Sequence, residues 1–547
     1  MTPRPSGRAA PARASAGLVL FTLATGQFVM TLDSSVMNVS IAQVAEDVGT
    51  TVTGVQTAIT LYTLVMATLM VTGGKIGSMI GRRRAFAIGA VIYACGSLTT
   101  AVAPDLVVLI LGWSVLEGIG AALIMPAIVA LVASNFPPAG RPRAYGLVAS
   151  AGAIAVAAGP LIGGAMTTYL SWRLVFVGEV LVVAVILVLA RCIQDVPAEP
   201  GQRLDVVGAL LSALGLGLAV YGVLRAGEWG WVLPGPEAPS LVGLSLTVWF
   251  VLTGLVVVRL FLAWEDHVLA RGREPLVRTS LLRNRQLVGG LTMFLFQFLV
   301  QAGVFFTVPL YLSVALGLTA VDTGIRLLPL SVTLLLAAVG VPRFLPHASP
   351  RRVVTAGLSA LLLGIVSLVA ALEVGAGPGI VTVPLLLAGL GVGALASQLG
   401  AVTVSAVPDE ASSEVGGLQN TASNLGASLG TALAGSILIA GLTASFLSGI
   451  EHNDAVPSSV SQTAQVELAS GIPFVSDADL GDALEEAGTP PEVAAAVVDE
   501  NADARIAALR LSLSALALVA AGALFFTRRL PTTAVGSAPG AEAPPAG

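Results

Sequence analysis

Fourteen apolar runs alternate with short polar breaks along this chain, and each approaches the length of about 20 residues that a helix needs to cross a bilayer. They lie near residues 17–42, 54–73, 85–103, 106–132, 144–169, 173–192, 205–224, 241–263, 287–312, 323–343, 353–374, 379–404, 417–447 and 506–527, bounded by charge, Pro or Gly clusters. The pattern predicts an all-α polytopic membrane protein with 14 transmembrane helices.

Composition agrees with that reading, because 55% of the 547 residues are hydrophobic and only 11% are charged. Lys and Arg favour cytoplasmic loops. With the first residues inside, 21 of the 27 basic residues fall on the cytoplasmic side, among them Lys75, Arg82 to Arg84 and the five arginines between 271 and 285. Both ends are therefore expected in the cytoplasm of a plasma or inner membrane protein. The basic stretch before the first run reads as a tail and the run as a retained span, too long for a signal peptide.

Two segments depart from the charge pattern. Residues 405–416 carry only acids although the count makes them cytoplasmic, which implies partners among nearby arginines or a misparsed late span. The excursion 451–504 holds a dozen acids and no Lys or Arg, and is expected outside as a polar loop with short helices. Thr489 and Pro490 there form a candidate N-cap and first-turn pair.

The chemistry of enzymes is missing. His267, His347 and His452 all fall in loops, and no nucleophile and base set, metal-ligand cluster or phosphate-binding G-x-x-x-x-G-K-[ST] loop is present. Cys95 and Cys192, expected on different helices, read as packing residues. The arginines lie along membrane edges, so nucleic-acid binding is not expected.

The break between the second and third runs reads GGKIGSMIGRRRAF. Topology accounts for its charges, but Gly74, Gly77 and Gly81 recur at helix-turn spacing, where small residues let backbones approach. The segment resembles the G-x-L-A-D-R-x-G-R-K/R loop of the major facilitator superfamily, with Gly74, Ile76, Gly77, Gly81, Arg82 and Arg83 in register. Ser78 stands where that family has an acid and Met79 where it has an arginine. The acid of the family latches the cytoplasmic side by pairing with charge and capping a helix, so the resemblance implies a latch built differently here; a serine retains only the capping ability.

Further segments resemble the fourteen-helix drug:proton antiporter branch of that superfamily. LDSSVMNVSIAQV, with Asp33 and Asn38, is similar to its first-span motif. GAIAVAAGPLIGG, with Gly152, Gly159, Pro160, Gly163 and Gly164, is similar to the antiporter hinge motif of the fifth span. SWRLVF, with Trp172 and Arg173, and the degenerate basic counterpart PRFLPHASPRRV fit the same branch. The resemblance implies a major facilitator fold of two six-helix bundles with two extra central helices. Its expected parts are a basic tail at 1–16, a first bundle at 17–192, a linker at 193–285 with spans near 205–224 and 241–263, a second bundle at 286–527 and a tail at 528–547.

Acids within spans are informative, since an ionised carboxylate at the helix centre costs about 2.5 to 3.5 kcal/mol on insertion scales. Asp33, Glu117 and Glu179 are such acids, and each is either a proton carrier or a protonated acid bonded to a neighbouring span. The branch usually places an arginine after the glycine of span four; here GWSVLEGIGAALIMPA puts Trp113 at that position. The expectation is a carboxylate relay without the arginine. For a substrate cavity the candidates are Asn38, Trp113, Gln297 and Gln301, with Phe28, Met30, Phe294, Phe296, Phe298, Phe305 and Phe306 as apolar wall or lipid-facing packing. Membrane-embedded acids would also attract cations.

The leading expectation is a proton-coupled exporter of drugs or other amphipathic small molecules. A dedicated exporter of one metabolite or self-made antibiotic, and a transport-inactive sensor of the same fold, stay open as alternatives. Protons, a small-molecule substrate and the bilayer are the expected partners of a monomer that needs no metal and no cofactor beyond a proton gradient.

Overall fold

The structure is a computed structural model that describes residues 16–137, 141–195, 204–235, 238–345, 347–407, 412–457 and 474–533. The basic tail, residues 196–203 of the linker, Asp409 and Glu410, residues 458–473 of the acidic excursion and the tail beyond 533 lie outside the described residues.

Fourteen long helices follow one another: α1 Ala16–Val39, α2 Val52–Ile80, α3 Arg82–Ala101, α4 Leu106–Val132, α5 Arg141–Tyr169, α6 Arg173–Ala190, α7 Val206–Trp229 and α8 Leu246–Ala270. They continue with α9 Arg285–Ala315, α10 Ala320–Phe344, α11 Pro350–Ala371, α12 Pro378–Val404, α13 Ser412–His452 and α14 Pro491–Phe526. Thirteen are long and apolar enough to span a membrane among the described residues, and α5 makes fourteen when its two limbs, bent by 44°, count as one span.

Local chemistry sets several of the helix ends. Asp105, Asp205 and Ser349 stand at N-caps and accept from Val108 N, Gly208 N and Arg352 N, satisfying orphan donors of α4, α7 and α11. Gly81, at φ +100°, closes α2 and opens α3, a backbone angle that residues with a Cβ rarely adopt. The bend of α5 has a proline cause. Pro160 has no N–H for the carbonyl of Val156, and the Ser331 hydroxyl of α10 donates to that carbonyl at 3.4 Å.

The first six long helices pack together, with α1 on α5, α4 on α2 and α3, and α6 on α3. The last six form a matching set in which α9 meets α13, α12 meets α10 and α11, and α14 meets α13. The two sets join through α2 against α13 and α5 against α10, while α7 and α8 pair outside them with α7 touching α2 and α13. Large apolar side chains such as Phe21, Leu181, Leu210, Leu336 and Phe525 point outward, as a lipid-facing surface requires.

Four local expectations shift, the first being that His267 lies in the last turn of α8 and His452 ends α13, rather than both lying in loops. Ser240–Leu241 and Leu244–Ser245 form a two-strand hairpin, β1 and β2, so α8 starts at Leu246 rather than near 241. α14 begins at Pro491, about four turns before the apolar run, and its N-cap is Pro490 rather than Thr489. Cys95 and Cys192 are both exposed instead of packed inside.

Candidate functional site

The three membrane acids meet. Asp33 of α1, Glu117 of α4 and Glu179 of α6 each place a carboxylate oxygen within 4.8 Å of the others, and all three side chains are buried. Glu117 ends a π-helical stretch, Ile110–Glu117, that also carries Trp113; such wide turns are frequent at functional sites. The Trp113 indole N–H is donated to both oxygens of Asp33, at 2.8 and 2.9 Å, from the position where the related motif has an arginine. Thr100 donates to Glu117 at 3.1 Å, and Tyr93 and Ser97 donate to Glu179 at 3.1 and 3.2 Å. One oxygen of Glu117 and one of Glu179 have no hydrogen-bond partner. No Lys, Arg or His forms an ion pair with the three acids among the described residues. The spacing of the oxygens suits a small cation as well as a shared proton.

Beside this cluster lies a cavity of about 840 Å³ between the two helix sets, lined by α1, α2, α4 and α5 and by α9, α10, α12 and α13. Asn38, Trp113, Gln297 and Gln301 all face it, as do Met30, Phe294, Phe298 and Phe305. Phe306 is instead buried in the core, Phe296 packs on Phe526, and Phe28 packs against core residues. Trp113 stacks on Tyr62 with ring centroids 4.8 Å apart and planes within 7°. Both rings line the cavity and the three acids do not, so the stacked pair walls the carboxylates off. The acids therefore stand one side chain behind the cavity wall rather than in it.

The glycines of the α5 motif mediate close helix contacts. A Cβ on Gly159 would meet Ser35 of α1, one on Gly163 would lie 2.9 Å from Val36 Cα, and one on Gly164 would run into the Ala320 carbonyl of α10. Gly152 lies against Gln27, and the Pro160 carbonyl faces Gly324 of α10. At the same end of the bundle, Gln56 of α2 donates to Thr431 O of α13 at 3.1 Å, and Thr168 accepts from Val321 N at 3.0 Å. The cavity extends the other way, toward Leu147, Pro342 and Gln419.

At that opposite end the loop between α2 and α3 is tied by other charges. Lys75 pairs with Glu274, which follows α8, and Arg278 pairs with Glu414 at the start of α13 at 3.3 Å. Asp195 accepts from Arg83 N at 2.9 Å and lies against Gly81, and Arg82 donates to Gly74 O at 2.7 Å. Ser78 lies inside α2 and donates to Lys75 O at 2.7 Å. Glu414 thereby accounts for part of the acid-only segment 405–416. Trp172 and Arg173 also act together: the indole donates to Asp47 at 2.7 Å, and the guanidinium lies 4.4 Å from the indole ring and donates to Ala103 O at 2.6 Å.

A family model for the Major Facilitator Superfamily matches residues 23–431. The chain belongs to the major facilitator superfamily. This superfamily member is a multi-pass membrane transporter and not an enzyme. It is 28% identical to the tetracenomycin C resistance and export protein of Streptomyces glaucescens, covering 93% of this chain and 91% of that protein. It is 27% identical to the multidrug resistance protein Stp of Mycobacterium tuberculosis strain H37Rv, over 82% and 81% of the two chains. In fold it is similar to the crystal structure of a bacterial homologue of the human lysosomal transporter Spinster in its inward-facing, unoccupied conformation. That likeness has a TM-score of 0.60 at 14% identity and covers 94% of this chain and 98% of that one.

Sequence reading missed Tyr62, Tyr93, Ser97 and Thr100, which surround the acids. The available signal was a set of hydroxyl groups inside otherwise apolar spans, at positions that face the same core as Asp33 and Glu117.

Proposed function

We propose that this transporter is a proton-coupled antiporter that exports drugs or other amphipathic small molecules across the cell membrane by alternating access, acting as a monomer with both termini cytoplasmic. The observation that carries the reading is the meeting of Asp33, Glu117 and Glu179 within 4.8 Å beside a cavity between two packed helix sets. Three full negative charges this close cannot coexist in a medium of low dielectric, so a proton is shared among them and leaves when the surroundings open to water.

In this reading the moving bundles are 17–192 and 286–527, with 193–285 as linker. The α5 glycines and Pro160 form the hinge and the outer seal against α10, and the loop from Gly74 to Arg83 forms the cytoplasmic gate. The seal between α5 and α10 and the extension of the cavity toward Gln419 support a conformation open to the cytoplasm. One proton moving through about 100 mV supplies about 2.3 kcal/mol, and a pH step of one unit adds about 1.4. Together they sustain a gradient of about several hundredfold for a neutral substrate.

The names of the relatives favour different breadths. One is an exporter named for a single antibiotic, which supports a dedicated exporter, and the other is named for multidrug resistance. Proteoliposomes with an imposed pH gradient test the proposal: substrate-dependent proton flux is expected for the wild type and absent in Asp33→Asn. Unchanged coupling in that variant, or coupling that follows a sodium gradient instead, rejects it.

A further inference from the structure

The lining of the central cavity has an unusual charge balance for a chamber beside three acids. Seven carboxamides face it, yet no Asp, Glu, Lys, Arg or His does so among the described residues. No charged side chain lines the chamber to pair directly with a cation that has lost its water there. The aromatic and thioether side chains of Phe294, Phe298, Met30 and Met66 provide an apolar body to the chamber.

The amides are not equally engaged. Asn38 donates to Ser34 O, Gln27 to Thr31 and Asn424 to Asn420 O, so these are held by their own helices. Gln297 and Gln301 differ, because the buried Oε1 of each has no hydrogen-bond partner and Gln297 is only 2% exposed. They stand one turn apart on α9, their backbone positions separated by about 6 Å along the helix axis. A buried acceptor left unpaired is costly, and a ligand donor that reaches it offsets that cost.

We propose that the cavity binds an uncharged aromatic molecule carrying at least two hydrogen-bond donors, received by Gln297 and Gln301 while its apolar body lies against Phe294 and Phe298. Phenolic hydroxyls, alcohols and amide N–H groups are donors of this kind. Use of the cavity for export rests on the antiporter reading; its chemistry does not.

The test measures equilibrium binding to the purified full-length transporter in lipid nanodiscs, with no gradient present. The probes are chloramphenicol, which is uncharged and carries two hydroxyls and an amide N–H, its diacetate, in which both hydroxyls are blocked, and the ethidium cation. Chloramphenicol is expected to bind at least tenfold more tightly than either of the others. Gln301→Leu is expected to erase its advantage over the diacetate. Gln297→Glu, which adds a charge to the lining, is expected to raise ethidium affinity at least fivefold, a gain that misfolding cannot produce. Ethidium binding as tightly as chloramphenicol, a diacetate equal to its parent, or no binding of chloramphenicol overturns the proposal. Failure of the antiporter reading appears separately, as chloramphenicol that binds to nanodiscs but is not moved by a pH gradient in proteoliposomes.

Discussion

The indole of Trp113 donates its single N–H to both carboxylate oxygens of Asp33 while its face stacks on Tyr62. One side chain therefore holds the carboxylate cluster and also lines the central cavity. Trp113→Phe keeps the stack and removes the donor. Because a hydrogen bond to a charged group contributes about 1.5 to 3 kcal/mol, transport in proteoliposomes is expected to fall at least tenfold, with the pH profile displaced and substrate binding kept within about threefold. A profile identical to wild type refutes a role for this bond in coupling.

Glu179 offers a second way to separate coupling from binding. Glu179→Gln leaves an amide oxygen to accept from Tyr93 and Ser97 but no group that releases a proton. Substrate-for-substrate counterflow is expected to persist, and uphill export driven by a pH gradient is expected to be lost. Loss of both activities in a well-folded variant points instead to a purely structural acid.

The contact between α5 and α10 makes its own prediction. A Cβ on Gly324 would overlap the Pro160 carbonyl, and backbone cannot move aside as a flexible side chain does. Gly324→Ala is expected to hold the helices apart and to cut transport at least tenfold. Overpacking costs about 1 to 3 kcal/mol, so a lower thermal midpoint is also expected. Wild-type export by this variant disposes of the seal.

The charge pairs at the opposite end call for an exchange experiment. Lys75→Glu or Glu274→Lys alone places like charges together, and transport is expected to fall several-fold; the double reversal is expected to restore it. Glu274 is mostly exposed, and exposed pairs contribute only about 0.2 to 1 kcal/mol, so global stability is expected to change little. A double variant as impaired as either single one removes the pair from the gate.

Hydropathy alone made the spans legible, because lipid imposes one length and one polarity on every crossing helix. The same logic exposed Asp33, Glu117 and Glu179, since an acid in an apolar run is conspicuous. Their meeting was not legible. It depends on the wide turn at Ile110–Glu117 and on how α6 packs against α3, which no local pattern encodes. Arg505 shows the limit from the other direction. It stands immediately before the last apolar run, yet it is buried in α14, donating to Val475 O at 2.8 Å and pairing with Asp477. That pairing depends on residues almost thirty positions earlier in a segment that hydropathy cannot place. Proline chemistry was half legible: Pro160 announced a bend, but the Ser331 hydroxyl that meets the freed carbonyl of Val156 comes from the other half of the molecule.

The placement of α7 has a mechanical consequence. It rests on α2 from one half and on α13 from the other: a Cβ on Gly227 would lie 2.8 Å from the Ser436 carbonyl of α13, while a gap of about 160 Å³ separates other parts of α7 and α8 from both α2 and α13, near Thr72 and Leu418. Any tilt of one half against the other must slip along one of these two faces. The added pair is thus braced on α13 at Gly227, and the gap beside Thr68, Thr72 and Leu418 leaves clearance for such a tilt at the other end of the pair.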